Sequence, residues 1–267
     1  MTSLLDASPL NVMDVLRGER ATRPVANNTA AAGLRATLED GIFERLGPTL
    51  RDEPVTVRAS SLLTTQYAAE LSHSTLAQVR GVLITQALRL MSVGLDVDDA
   101  FHEAHLAWRA DVGSNELTTF VDHLDDDDRA RLATDVTAHC VTLKRSLGPL
   151  SNRWLPRTSL RAYQRLASGN VVLRDVVDLM VGTTSSDVAS VALLDVTTSP
   201  LGEGGERVMR YHALVQTLRT SIAPLRTSMF STATGELWSL DVDDELLTRA
   251  ADDVLDVLDV LAQLVAT

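Results

Sequence analysis

The sequence predicts a protein of the α/β (α+β) class, with a mixed sheet flanked by helices and a helical amino-terminal half. Three observations lead to this prediction. Apolar residues recur at steps of three and four between about residues 74 and 149, as they do on the buried face of a helix. Beyond Pro156 the chain changes to short β-branched runs bounded by turn residues. Strand-like and helix-like stretches then alternate along the rest of the chain.

The first half of the chain is predicted to be mainly helical. Residues 1–54 contain short helical patterns separated by polar breaks with proline and glycine, which predicts a helical extension. Residues 55–60 (VTVRAS) have the composition of a short strand. Residues 74–92 and later segments have the helical apolar period. We therefore expect residues 55–154 to form a largely helical region packed on the core.

The second half, residues 155–267, is the predicted core domain. Its apolar and turn patterns predict the order β-β-β-α-β-β-α. The last helix is amphipathic, with Leu247 and Val265 among the residues of its apolar face. The predicted strands are 159–167, 170–182, 189–196, 223–232 and 236–240, and the helix among them is 205–220.

Composition excludes several classes of protein. With 45% hydrophobic residues the chain can bury a full core, which excludes wholesale disorder. The single cysteine, Cys140, excludes a disulfide framework and a four-cysteine zinc or iron–sulfur site. The first residues lack the basic start of a signal peptide, and no apolar run approaches the roughly 20 residues that span a bilayer. We therefore expect a cytoplasmic protein with no membrane partner and no iron–sulfur cluster.

The charge of the chain limits its partners. A net charge of −12 argues against a large generic phosphate-binding surface, but it leaves room for a local basic groove. Lys144 is the only lysine among 24 basic residues. Almost no lysine is therefore available for catalysis.

Two aspartates on neighbouring predicted strands are the main functional signal. If these strands form a hairpin centred on the TTSSD turn, Asp178 lies opposite Leu193, and Asp195 lies two residues along. Alternation then places Asp178 and Asp195 on one face of the sheet and Asp175 on the other. A change of register by one residue would separate the two acids.

Two converging carboxylates have two interpretations. They offer the oxygen ligands that a hard divalent cation such as Mg²⁺ or Mn²⁺ needs. They are also compatible with strand-end acids that are exposed to water, and spacing alone favours this second interpretation. Thr197, the next residue on the same face after Asp195, stands where a phosphodiester-cleaving site would use a lysine to stabilise phosphoryl charge.

Three stretches resemble the successive motifs of the RecB-like branch of the PD-(D/E)XK nucleases: LRDVVDLMVG (173–182), VALLDVTTSP (191–200) and RVMRYHALVQTLR (207–219). The usual motifs are Gly-x-x-Asp at a strand end, Asp/Glu-x-Lys on the next strand and Gln-x-x-x-Tyr on the following helix. The resemblance covers about residues 155–260. It implies a restriction-endonuclease-like fold and Mg²⁺-dependent cleavage of DNA.

The resemblance also implies roles for individual residues. It makes Asp178 and Asp195 the two metal ligands and Tyr211 the tyrosine of the motif helix. This sequence departs from the family pattern at four positions, and losing one charged stabilising group typically costs about 10²–10³ in rate. Thr197 replaces the lysine, Thr85 stands where an upstream histidine is usual, Asp175 replaces the glycine, and Val208 stands near the expected glutamine.

The retained and missing residues leave two hypotheses. The first is a divalent-metal-dependent DNA nuclease in which Arg210, or Arg207 near it, supplies the charge that Thr197 lacks, although such arginines more often contact phosphate or lie at the surface. The second is an inactive descendant of the same fold that binds DNA or a protein partner. The sequence slightly favours a nuclease-like fold with weak or absent activity. The predicted strand order argues against a purely helical interaction protein.

Overall fold

The computed structural model describes residues 11–18, 28–47, 53–63, 75–96, 99–183 and 190–265. Helices and strands are numbered along these described ranges. The helices are α1 (Val12–Arg17), α2 (Asn28–Leu46), α3 (Thr75–Ser92), α4 (Ala100–Val112), α5 (Glu116–Asp122), α6 (Asp126–Leu147), α7 (Gly205–Thr220) and α8 (Asp244–Val265). The strands are β1 (Val55–Arg58), β2 (Arg157–Leu166), β3 (Val171–Val181), β4 (Ala192–Thr197), β5 (Arg226–Ser231) and β6 (Leu237–Asp241).

The six strands form one mixed sheet. Its path is β1-β3-β4-β5-β6, and β2 also pairs with β3. β3 runs antiparallel to β2 and β4, whereas β4 and β5 are parallel and are connected through α7. β6 is antiparallel to β5, and β1 is parallel to β3. The order β-β-β-α-β-β-α predicted for the second half is confirmed, and β1 adds a strand from the first half to the same sheet.

Helices cover the sheet with two separate apolar clusters. The larger cluster joins α1, α3, α4 and α6 to the end of β3 and to β4 and β5, and it includes Leu83, Leu143 and Phe230. The second cluster joins α2, α7 and α8 to β1, β2 and the beginning of β3. The predicted class, a mixed sheet flanked by helices, is therefore confirmed. None of the described helices combines the length and apolar character needed to cross a membrane.

Helix α6 shows how the sequence sets the ends of a helix. Its first turn follows Asp125, whose carboxylate accepts a hydrogen bond from the amide of Asp128. Such a cap satisfies an amide that has no partner within the helix, and the following acids interact favourably with the helix dipole. The helix ends at Gly148, which has a φ of 62°. A glycine adopts this conformation without a steric penalty.

The register of β3 and β4 differs from the predicted one by two residues. Leu193 pairs with Met180 rather than with Asp178, so the predicted pairing was wrong. A shift of two residues preserves the alternation of faces, which explains why Asp178 and Asp195 still meet. Most of the predicted TTSSD turn falls in residues 184–189, which lie outside the described ranges.

Alternation along β3 is interrupted near Asp178. The pairing of β2 with β3 skips Ser159 and Asp178, and Ser159 has a φ of 51°, in the left-handed region. All residues from Val177 to Val181 are buried, which an alternating half-exposed strand would not show. Strict alternation had placed Asp175 on the face away from Asp178. The interruption allows both side chains to take part in one cluster.

Candidate functional site

Asp178 lies at the centre of a polar cluster between β3, β4, α3 and α7. Its side chain is buried, and both carboxyl oxygens accept hydrogen bonds. The hydroxyl of Thr85 on α3 donates to Oδ1 at 3.2 Å, and the amide of Val196 on β4 donates to Oδ2 at 2.8 Å. These two donors fix the orientation of the carboxyl group.

The carboxyl groups of Asp178 and Asp195 are close enough to share a proton. Burial raises the pKa of Asp178 well above its usual value, and the negative charge of Asp195 raises it further. A hydrogen bond between the two side chains acts in the same direction, and the donors Val196 and Thr85 offset part of the increase. The buried carboxyl group of Asp178 is therefore protonated more readily than an ordinary aspartate, because burial and the neighbouring Asp195 disfavour its charged form.

His212 on α7 links a third acid to this pair. Its Nδ1 donates to Oδ1 of Asp175 at 2.8 Å, and its side chain is only 1% exposed. Its Nε2 lies 4.0 Å from Oδ2 of Asp195 and has no hydrogen-bond partner among the described residues. Asp175, Asp178, Asp195 and His212 thus form one cluster, which we call the acid–histidine cluster.

The acids of this cluster keep His212 protonated. Burial alone lowers the pKa of an imidazole, but the charge and hydrogen bond of Asp175 raise it, as do the charges of Asp195 and Asp178. The combined effect raises the pKa of His212 to about 9. At neutral pH the cluster therefore contains a protonated imidazole beside its carboxylates, and it supplies its own cation.

Thr197, the residue at the expected lysine position, has a local structural contact. Its Oγ1 accepts a hydrogen bond from the amide of Ser199 at 3.1 Å. Its carbonyl oxygen accepts hydrogen bonds from the amide and hydroxyl of Thr232. Thr197 therefore holds the loop after β4 against β5, and it brings no charge to the acids.

The two candidate arginines of α7 contact α8 and not the acid pair. Arg207 and Arg210 each donate from Nε to Asp253, at 2.9 and 2.7 Å. Arg210 also lies 3.6 Å from Glu206. The charges of both arginines, which the sequence offered as possible substitutes for the missing lysine, are therefore paired with Asp253.

Tyr211 fixes α7 to the sheet through its hydroxyl group. This group lies 2.8 Å from the carbonyl oxygen of Val57 and 3.0 Å from that of Arg174, and it can donate its proton to either. The ring is fully buried in the cluster between the sheet and α7. Its hydrogen bonds go to the backbone of β1 and β3, and this contact positions the neighbouring His212.

Sequence reasoning missed His212 and the part played by Asp175. A signal for both was present, because each is an ionisable residue within an apolar stretch: VVLRDVV for the strand and RYHALV for the helix. Buried ionisable residues in folded proteins are normally paired. An acid in a buried strand and a histidine in a buried helix are therefore candidates for each other.

Asp178 and Asp195 are the residues that would hold a Mg²⁺ ion, and they form only part of a site. Mg²⁺ takes octahedral oxygen ligation and usually keeps several waters beside one or two carboxylates. Each oxygen of Asp178 accepts one protein hydrogen bond, which leaves one lone pair on each, and Asp195 faces the protonated His212. Within the described ranges, no three His, Cys, Asp or Glu side chains are arranged to hold a metal. His212 supplies positive charge within this cluster of three acids.

Comparisons with known proteins give little further information. No protein-family model and no curated protein matches the chain. Among solved structures, the one described as "Crystal structure of SSO0001" is similar over 82% of this chain and 83% of that chain, with 10% identity and a TM-score of 0.32. A likeness this weak carries no information about the site.

Proposed function

We propose that this protein is a cytoplasmic nuclease-fold protein of the RecB-like PD-(D/E)XK type whose metal-dependent DNA hydrolysis is weak or lost. One observation supports the proposal above all. Asp178 and Asp195 meet on adjacent antiparallel strands, and the helix that follows leads into a strand parallel to β4. The three stretches that resemble the nuclease motifs lie, in chain order, on β3, β4 and α7.

The low rate follows from the charges around the acid pair. Hydrolysis of a phosphodiester needs positive charge where negative charge develops on the phosphoryl oxygens. Thr197 offers a hydroxyl group that already accepts a hydrogen bond, and Arg207 and Arg210 are bound to Asp253. The cation of the cluster, His212, is 1% exposed, so a phosphate in solvent cannot contact it.

A second candidate function is that of a binding module without catalysis. The ion pair of His212 with Asp175 favours it, because the buried Asp175 has its counter-charge inside the protein and needs no metal ion to balance it. In this case the fold is retained for binding DNA or a protein partner. The acid–histidine cluster then stabilises the contact between α7 and the sheet.

Digestion assays with three proteins test the proposal. Wild type, Thr197→Lys and Asp195→Ala are incubated with single- and double-stranded DNA in Mg²⁺ and in Mn²⁺. We expect little or no cleavage by wild type, more by Thr197→Lys, and none by Asp195→Ala. Strong wild-type cleavage that survives Asp195→Ala would contradict the proposed site. No cleavage by any of the three, with DNA or a protein still bound, supports the binding module.

A further inference from the structure

One face of the sheet carries four arginines around a tyrosine. The registers pair Arg58 with Arg174, Arg174 with Tyr163, and Arg161 with Val176. Paired residues share a face of a sheet, and residues two apart on one strand do so as well. We call this surface the arginine face. Its members are Thr56, Arg58, Arg161, Tyr163, Arg165, Val172, Arg174 and Val176.

The arginine face is open to solvent. Arg58, Arg161, Arg165 and Arg174 are exposed, and Tyr163 is 53% exposed. Leu173, which alternates with these residues on β3, points to the opposite side and is buried with α7 and α8. The helices that cover the rest of the sheet therefore leave this part uncovered.

The described acids supply no counter-charge to the arginines of this face. None of the four arginines forms an ion pair with any described acid, and the face itself contains no Asp or Glu. Arg174 lies over the ring of Tyr163, with its guanidinium carbon 5.3 Å from the ring centre. A protein with a net charge of −12 thus concentrates uncompensated positive charge on one surface. Such a patch fits a polyanion.

We propose that the arginine face binds single-stranded nucleic acid. Guanidinium groups bind phosphate oxygens in a planar, two-pronged geometry, which suits Arg58, Arg161 and Arg165 at the edges of the patch. A half-exposed tyrosine gives an unpaired base a surface on which to stack. Bases of a duplex are already stacked on each other, and a flat sheet face does not enter a groove. The geometry therefore selects single strands.

The aromatic residue distinguishes nucleic acid from an acidic protein as the occupant. Arginines alone would bind either, but an acidic peptide gains little from an exposed tyrosine ring between the arginines. The negative charge elsewhere on the chain repels a polyanion and restricts it to this face. The inference deepens the second candidate function, a module that binds DNA, by assigning the binding surface, and it does not depend on the acid–histidine cluster.

Fluorescence anisotropy tests this binding without metal. The probes are labelled oligo-dT and oligo-U of roughly 16 nucleotides, in EDTA so that cleavage cannot interfere. We expect saturable binding by wild type and by Asp195→Ala. We expect Arg161→Ala/Arg174→Ala to weaken binding by roughly tenfold or more. The slope of log K against log salt should fall by about 1.4, since each phosphate contact with a single strand contributes about 0.7.

Matched variants separate the role of this face from general charge. Arg131→Ala/Arg145→Ala removes two exposed arginines of α6 and should leave affinity within about twofold. Tyr163→Ala should lower the affinity for the oligonucleotide by about fivefold or more, whereas Tyr163→Phe keeps the ring and should retain binding. Preference for oligo-U over oligo-dT would identify RNA as the ligand, and the reverse would identify DNA.

Several results would overturn the inference. They are no binding by wild type, a loss of affinity in Arg131→Ala/Arg145→Ala as large as that in Arg161→Ala/Arg174→Ala, or full binding by Tyr163→Ala. Displacement of the probe by polyglutamate as effectively as by unlabelled oligonucleotide would instead assign the face to an acidic protein. Because the assay contains EDTA and Asp195→Ala is included, a failed nuclease proposal leaves this result unchanged, and a failed binding result leaves the nuclease proposal untouched.

Discussion

Neighbouring charged residues of β3 have opposite environments. Asp175 and Asp178 are buried, and each has polar partners supplied by α3, α7 or β4. Arg174, the residue before Asp175, is exposed and lies over the ring of Tyr163. Water solvates the second group, whereas the protein must replace water for the first. A charged side chain of this sheet is therefore buried only where its hydrogen-bond or ion-pair partners are buried as well.

The difference has an energetic consequence. Removing one partner of a buried ion pair leaves an uncompensated charge in a poorly polar environment. Removing an exposed charge changes little, because solvent already screens it. Substitutions in the acid–histidine cluster should therefore lower stability, and substitutions on the arginine face should lower binding. The following predictions test this contrast, beginning with the largest expected effect.

Loss of the imidazolium should destabilise the protein most. In His212→Ala, the 5% exposed Asp175 loses its partner, and the charges of Asp195 and Asp178 are no longer balanced. We expect the free energy of unfolding to fall by about 3–5 kcal/mol, measured by urea denaturation. His102→Ala, at an exposed position of α4, should change it by less than about 0.5 kcal/mol.

A double variant separates the lost charge pair from the lost packing. Asp175→Asn added to His212→Ala removes the stranded acid, so it should recover part of the lost stability. A further loss in the double variant, additive with the first, would show that the pairing of the two side chains does not matter. In that case the cost of His212→Ala would be a cavity in the core.

Stability should decrease as pH rises through the pKa of His212. The pKa of this imidazole is about 9 in the folded protein and about 6.5 in an unfolded chain. The folded state therefore binds more protons between these values, and its extra stability is fully present below about pH 6.5. It is lost as pH approaches 9, by about 3 kcal/mol in total. Urea midpoints at pH 6, 7.5 and 9 measure this loss.

The variant Asp175→Asn provides the control for the pH dependence. It removes the acid that contributes most to raising the pKa of His212, so the decline between pH 6.5 and 9 should become shallower. A decline of unchanged steepness in Asp175→Asn would assign the pH dependence to another group. Cys140 titrates outside this window, because burial raises the pKa of its thiol to about 12.

The sequence was sufficient for the elements and for the acid pair, because both depend on short-range patterns. Turn residues and apolar runs fix where strands such as 171–181 begin and end, and the parity of Asp178 and Asp195 survives a two-residue error in register. The residues that surround this acid pair could not be predicted from the sequence. Local patterns do not reveal that Ser159 interrupts alternation, so the position of Asp175 was wrongly predicted.

The contacts of α7 also could not be predicted from local sequence patterns. Helical periodicity locates this helix, but the rotation of the helix about its axis is decided by packing against both the sheet and α8. This rotation turns His212 to the acids and Arg210 to Asp253. A three-residue motif cannot specify it, since Arg210, Tyr211 and His212 point in different directions from one helical turn.

Removing the hydroxyl of Tyr211 should have an intermediate effect. Tyr211→Phe leaves the carbonyl groups of Val57 and Arg174 without this donor in a fully buried position. We expect a loss of about 1–2 kcal/mol in the free energy of unfolding. Tyr163→Phe removes the same atom from a half-exposed ring and should cost less than about 0.5 kcal/mol. An equal loss of unfolding free energy in Tyr211→Phe and Tyr163→Phe would contradict the expected difference between buried and exposed hydroxyl groups.

The smallest effect on stability is expected on the arginine face, where the largest effect on binding is expected. Arg161→Ala/Arg174→Ala removes two exposed charges without an ion-pair partner among the described acids, so little folding energy depends on them. The cation–π contact of Arg174 with Tyr163 is worth about 0.5–1 kcal/mol at an exposed site, which sets the upper limit of the loss. Urea denaturation should therefore show a change of at most about 1 kcal/mol. A larger loss would mean that these arginines stabilise the sheet. Their presence on this face would then be explained by folding, and a bound nucleic acid would not be needed to explain it.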